Sequence, residues 1–100
     1  MYVTLYQWLV KDGKENRFIE AWTTLTQQLQ AQVPALSGKL HKTQQGSYVA
    51  IINWPSQQVW ETQKPNNIDL LIQKQLMDTV EEVESVIAMQ VVKDLKALVN

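Results

Sequence analysis

Aromatic rings, more than ionisable groups, are what this chain offers for chemistry. Strand-like alternation places Tyr6, Trp8, Tyr48 and Trp54 on one face, and helical spacing brings Trp22 and Trp60 toward the same side. Rings gathered in this way can stack a planar substrate, with a Tyr hydroxyl or a Trp indole N–H as the polar handle. A phenolic substrate held there can ionise and react with oxygen directly, the protein orienting it and excluding water. The plainer role of the same rings is to fill the core of a small domain. The substrate-pocket candidates are Tyr6, Trp22, Tyr48, Trp54 and Trp60, and no residue is assigned a catalytic role.

Other chemistries find little support. Asn53 has the opposite parity to Trp54 and is directed at a dimer interface or a bulge, where a buried amide finds partners. His41 is the one histidine, which rules out a His-pair metal motif within one chain, and its polar surroundings make it a solvated surface residue. Glu81, Glu82 and Glu84 are too close in sequence to converge on a metal and read as a solvated turn. There is no cysteine, which excludes disulfides, thiolate catalysis and thiolate metal sites. No metal and no cofactor is expected. Nine basic and ten acidic residues leave a net charge of −1, which gives no electrostatic case for nucleic acid or an anionic membrane. No apolar run approaches the ~18 residues of a membrane span. The chain opens directly on strand-like sequence with no signal-type leader, so the default location is cytoplasmic.

The elements that must position the rings follow from periodicity. One hundred residues, 45% of them hydrophobic, fit one domain over 1–100 with one modest core. Residues 48–54 form the organising strand, with Tyr48, Ala50, Ile52 and Trp54 on one face and Val49 and Ile51 on the other; Pro55 ends it. Residues 2–9 alternate Tyr2, Tyr6 and Trp8 against Val3, Leu5 and Leu9, a second strand apolar on both faces and hence central. Asp12 and Glu15 resemble a capping box, opening a helix that runs to about Gln32 before Pro34. Its apolar stripe is Phe18, Trp22, Leu25, Leu29 and Val33, widened by Ile19 and Ala21. Residues 39–44, rich in lysine, read as an edge strand. Gln45-Gly46 reads as a two-residue hairpin turn. Ser56 caps a short helix from Gln57 to Gln63, with Val59 and Trp60 facing inward. Lys64-Pro65 ends that helix, and Asn67 caps another over 68–79. Residues 85–95 form a fourth strand, again apolar on both faces, followed by a tail holding Leu98 and Val99.

The order β, α, β, β, split α, β predicts a ferredoxin-like α+β fold: a four-stranded antiparallel sheet with its helices on one face. Helices cover one side only, and the other is left with a contiguous apolar patch larger than monomers ordinarily expose. The expectation is a homodimer joined through the sheet faces, most simply with two-fold symmetry.

The passage Ala50-Ile51-Ile52-Asn53-Trp54-Pro55-Ser56-Gln57-Gln58-Val59-Trp60 resembles the "strand, Trp, Pro-Ser, helix with a second Trp" passage of antibiotic biosynthesis monooxygenase domains, which are dimeric α+β barrels. The hairpin from Leu40-His41-Lys42 to Gly46-Ser47-Tyr48 and the helical Phe18-Ile19-Glu20-Ala21-Trp22 are similar to that pattern too. The resemblance implies a cofactor-free oxygenase acting on an aromatic or phenolic molecule between sheet and helices, with Trp54 at the position of the pocket tryptophan of the heme-cleaving branch. That branch also uses an asparagine in the first strand, where this chain has Tyr6, and a helical histidine ligand, whereas 56–80 contain no histidine. Heme degradation is therefore not expected. A non-catalytic dimer that holds a small apolar ligand, or serves a stress response, fits the same cavity without a reactive group. A purely structural interaction module predicts no cavity at all. A volume above ~300 Å³ between the sheet and the helix over 68–79 favours a ligand site.

Overall fold

In the computed structural model, which describes residues 1–63 and 70–98, the chain runs β1 (Tyr2–Val10), α1 (Glu15–Gln32), β2 (Ser37–Lys42), β3 (Tyr48–Trp54), α2 (Gln57–Gln63), α3 (Leu70–Asp78) and β4 (Val80–Gln90). The strands form one four-stranded sheet in the order β2-β3-β1-β4, every pair antiparallel. This is the ferredoxin-like α+β arrangement. β1 and β3 are central, the position their two apolar faces require, and the lysine-bearing β2 is an edge.

Register assigns the faces. Tyr2, Thr4, Tyr6 and Trp8 of β1 stand opposite Trp54, Ile52, Ala50 and Tyr48 of β3, and this face packs on the helices. Phe18 of α1 is fully buried at 0% exposure. Its ring meets Trp8 edge-on at 5.2 Å and Tyr48 at 5.2 Å, a geometry that aromatic quadrupoles favour. A second cluster gathers Tyr2, Leu29, Val33, Leu36, Ile52 and Trp54, and both Tyr6 and Trp22 pack against the two clusters.

The opposite face carries Val3, Leu5 and Leu9 of β1, Val49 and Ile51 of β3, and Ile87 and Met89 of β4. No helix covers it. β4 carries apolar residues on both faces: Ile87, on the open face, is 47% exposed and Val86, on the helix side, 59%. β4 is an edge of the sheet with a neighbouring strand on one side only.

Several local expectations are corrected. Glu15 opens α1 and Lys14 precedes it without a side-chain cap. Gly13 adopts φ 79° and the Lys14 N–H donates to the Lys11 carbonyl at 3.0 Å, so Asp12 belongs to a turn before the helix. Ile19 lies outside the buried stripe of α1, exposed to solvent, and Thr26 is buried instead. The hairpin is one residue longer than a two-residue turn. Thr43 N–H donates to Ser47 O at 2.8 Å and Gly46 N–H to Thr43 O at 3.0 Å, with Gly46 at φ 93°. Only the glycine needs positive φ in this three-residue connection, so Gln45 is tolerated. Ser56 acts as read: its Oγ accepts the Val59 N–H at 3.2 Å.

β2 begins at Ser37, and β4 begins at Val80 and ends at Gln90. Glu81, Glu82 and Glu84 therefore lie within the strand, and Ser47 Oγ donates to Glu84 Oε1 at 2.5 Å. Two register shifts along β1 and β4 break the alternation there. Val91 N–H donates to Met1 O at 3.1 Å. The tail then leaves regular structure, with Val92 and Leu98 more than nine-tenths exposed. Lys64-Pro65, the Asn67 cap, Ile68 and Val99 lie outside the described residues. Among the described residues no helix is long and apolar enough to cross a membrane.

Candidate functional site

The helix-facing side of the sheet and the three helices line a hollow of about 420 Å³ that is open to solvent. β1 supplies Tyr6 and Trp8, β3 supplies Trp54 and Ile52, α1 supplies Trp22, Leu25 and Leu29, and α2 supplies Trp60. Leu76 and Met77 of α3 and Val83 and Val86 of β4 complete the lining, with Met77, Val83 and Val86 exposed to solvent. The period of the strands brings the β1 and β3 rings to one face, and the helical spacing of Trp22 to Leu25 and Leu29 aims α1 at the same space.

Each wall has a fixed geometry. Tyr6 and Trp8, two apart on one strand, stack at 5.7 Å with an interplanar angle of 8°. Trp60 lies 5.4 Å from Tyr2 at 36°, which ties α2 to the start of the sheet. The Trp54 indole N–H donates to Thr4 Oγ1 at 3.0 Å in a buried contact. Trp54 therefore presents its ring to the cavity and keeps its donor for the strand beside it. The polar side chains among the lining residues are Tyr6, Thr26, Gln63 and Gln73, beside the indole N–H groups of Trp8, Trp22 and Trp60. Among the described lining residues there is no Asp, Glu, His, Lys or Arg.

Of the residues singled out from sequence, Tyr6, Trp22, Trp54 and Trp60 meet at this cavity. Tyr48 does not line it: its ring packs on Phe18, and Lys42 Nζ stands 5.7 Å over the ring centroid. Asn53 is on the open face, where its Nδ2 donates to Ser37 Oγ at 3.2 Å. His41 is exposed on β2 with Nδ1 3.3 Å from the Val49 carbonyl oxygen. A second hollow of about 440 Å³ lies between α1 and α3 beside Lys14, Arg17, Glu20 and Asp78, and no ring lines it.

No family model matches the chain, and no curated protein matches it. Solved structures do. One described as an antibiotic biosynthesis monooxygenase superposes with a TM-score of 0.73 at 17% identity, over 93% of this chain and 100% of that one. A Nitrosomonas europaea protein provisionally named an antibiotic biosynthesis monooxygenase also gives 0.73, at 18% identity over 93% of this chain and 100% of that one. The chain has the antibiotic biosynthesis monooxygenase fold. An uncharacterized NIPSNAP domain protein from Burkholderia xenovorans shares the architecture, with a TM-score of 0.70 at 13% identity over 97% of this chain and 100% of that one. At these identities the likeness is one of fold, which hosts many activities.

Within this fold, sequence reasoning missed Thr4 and Gln63. Thr4 reads as a polar break in an apolar strand; its partner lies 50 residues on. Gln63 is one glutamine among many, and only the position of α2 over the sheet brings it to the cavity wall.

Proposed function

We propose that the chain is a small cofactor-free monooxygenase of the antibiotic-biosynthesis type, acting on an aromatic or phenolic molecule between sheet and helices. The observation that carries this reading is the cavity of about 420 Å³ walled by Tyr6, Trp8, Trp22, Trp54 and Trp60, a volume in the range of small-molecule sites. Indole and phenol rings on several sides stack against a flat substrate. With no ionised side chain among the described walls, the substrate must itself be acidic enough to ionise. In an anthrone-type reaction, a ring CH₂ and O₂ give a ring carbonyl and water. One oxygen atom enters the product, the other leaves as water, and the substrate supplies both hydrogens and the electrons.

This reading includes a homodimer joined through the open sheet faces. Its support is the unbroken apolar row Ile51, Leu5, Ile87 across three strands, the kind of surface that monomers seldom leave in water.

Oxygen uptake with anthrone is the test. Uptake that matches anthraquinone formed one for one supports the proposal, and uptake no faster than buffer overturns it. The absence of an acid–base pair among the described walls favours a second reading, a dimer that holds an apolar ligand without turnover. Native mass spectrometry after mild purification separates the two, since a retained ligand with no oxygen uptake selects the second.

A further inference from the structure

The two edges of the sheet carry opposite charge: β2 has no acidic residue and β4 no basic one. Register puts these charges on the open face. Lys39 stands opposite Ile51 and His41 opposite Val49, in line with Leu5 and Gln7 of β1, and both side chains are exposed. At the other edge Glu82 stands opposite Leu9. Glu84 is left without a partner by the register shift between Gln7 and Trp8. Its carboxylate accepts the Ser47 hydroxyl at 2.5 Å. Ser47 precedes Tyr48 and has the parity of Val49, so this carboxylate also lies toward the open face. Leu5, Val49 and Ile51 fill the middle.

We propose that two copies stack open face to open face with their two-fold axis along the strands, so that the Lys39–His41 edge of each lies over the Glu82–Glu84 edge of the other. This rests on the homodimer of the proposed function and adds its orientation. Facing sheets lie about 10 Å apart, with their strands within about 30° of each other. A two-fold axis in the plane between them keeps that alignment in two ways. Running along the strands, it sets each β2 over the partner's β4. Running across the strands, it sets β2 over β2 and β4 over β4. The second way brings glutamates onto glutamates and lysine onto lysine at the rim of an apolar contact, which electrostatics disfavours. In the first way both rims are complementary, and complementary charges fix the register of an apolar interface.

The test uses two altered chains. The acidic chain is Lys39→Glu with His41→Glu, and the basic chain is Glu82→Lys with Glu84→Lys. Circular dichroism verifies each fold; if the basic chain does not fold, Glu82→Lys alone replaces it. Sedimentation velocity over a dilution series reads association at about 0.05 M salt. Each altered chain alone should associate about tenfold or more weakly than the parent. Mixed one to one they should dimerise about as tightly as the parent, because every acidic rim then meets a basic one. Raising the salt to about 0.5 M should loosen the parent dimer and tighten the acidic chain. Arg17→Glu with Gln27→Glu, both exposed on α1, makes the same change in net charge as the acidic chain and should stay within about twofold of the parent. Altered chains that dimerise as tightly as the parent overturn the orientation and leave the face-to-face dimer standing. So does a mixture no tighter than its separate chains, or a control that loosens as much as the acidic chain. Recovery on mixing that persists with Leu5→Lys in both chains sets the edges side by side and overturns it too. A parent that stays monomeric overturns the dimer, and the orientation with it.

Discussion

The indole N–H of Trp54 donates to Thr4 Oγ1 across 3.0 Å, joining two central strands inside the core. Thr4 stands opposite Ile52 and Trp54 opposite Tyr2, so the bond runs diagonally between neighbouring strands on the same face. It holds one of the four indole rings of the cavity wall at a fixed tilt. It also satisfies the one donor that a buried tryptophan must place somewhere.

Thr4→Val keeps the shape of the side chain and removes the acceptor. The indole N–H is then buried without a partner, and the chain loses about 1–3 kcal/mol. Trp54→Phe in the Thr4→Val background costs less than the sum of the two single changes, because the donor left orphaned by the first is gone. Urea unfolding of the four proteins closes this cycle. An additive result would show that the bond contributes nothing of its own.

Gly38 is pressed against the same wall. A methyl group at this position lies 2.6 Å from Cδ1 of Ile52, its partner across β2 and β3, and 3.8 Å from Cγ2 of Thr26. Ile52 is buried and lines the cavity, so Gly38→Ala drives its terminal methyl out of place. The expected loss is about 1–3 kcal/mol, the range of core overpacking. Adding Ile52→Val removes the clashing carbon and recovers most of that loss, read as a rise in the urea midpoint. A double mutant no more stable than Gly38→Ala would refute this account of the site.

Ala35 adopts φ 69° after the end of α1, a left-handed conformation in which a Cβ is crowded by the following carbonyl. Ala35→Gly relieves that crowding. The gain exceeds the added freedom of glycine in the unfolded chain, for a net stabilisation of about 0.5–1 kcal/mol. The thermal midpoint, measured at fixed protein concentration, then rises by roughly 2–8 °C.

How far the sequence reveals the molecule depends on the signal each residue sends. Tyr48, Ala50, Ile52 and Trp54 alternate cleanly with half-exposed neighbours, so β3 and its buried face are readable directly. With β1 they place the rings of the cavity. β4 is less legible. Its acidic start hides a strand that begins at Val80, and two register shifts against β1 break the alternation that would reveal it. The capping-box pattern at Asp12 and Glu15 misleads because Gly13 turns the chain before the helix starts. Thr4 and Gln63 carry no periodic signal at all. Their places come from the packing of strands and helices distant in sequence, which a single chain's pattern does not encode.

The open sheet face supplies the remaining prediction. Leu5 sits at its centre, opposite Ile51 on one side and Ile87 on the other, and Lys39 continues the row onto β2 beyond Ile51. Leu5 is only partly buried within its own chain, so Leu5→Lys leaves the packed core intact, and the circular dichroism spectrum stays that of the parent. In a face-to-face dimer the same lysine is carried twice into an apolar contact. An uncompensated buried charge costs on the order of 3–5 kcal/mol, which weakens association by more than ~100-fold. Light scattering behind size exclusion at micromolar concentration should give twice the chain mass for the parent and one chain mass for Leu5→Lys. Ile19→Lys, on the exposed side of α1, should stay a dimer. A parent chain that elutes as a monomer would refute association through this face, and a Leu5→Lys protein that remains dimeric would move the contact elsewhere on the molecule.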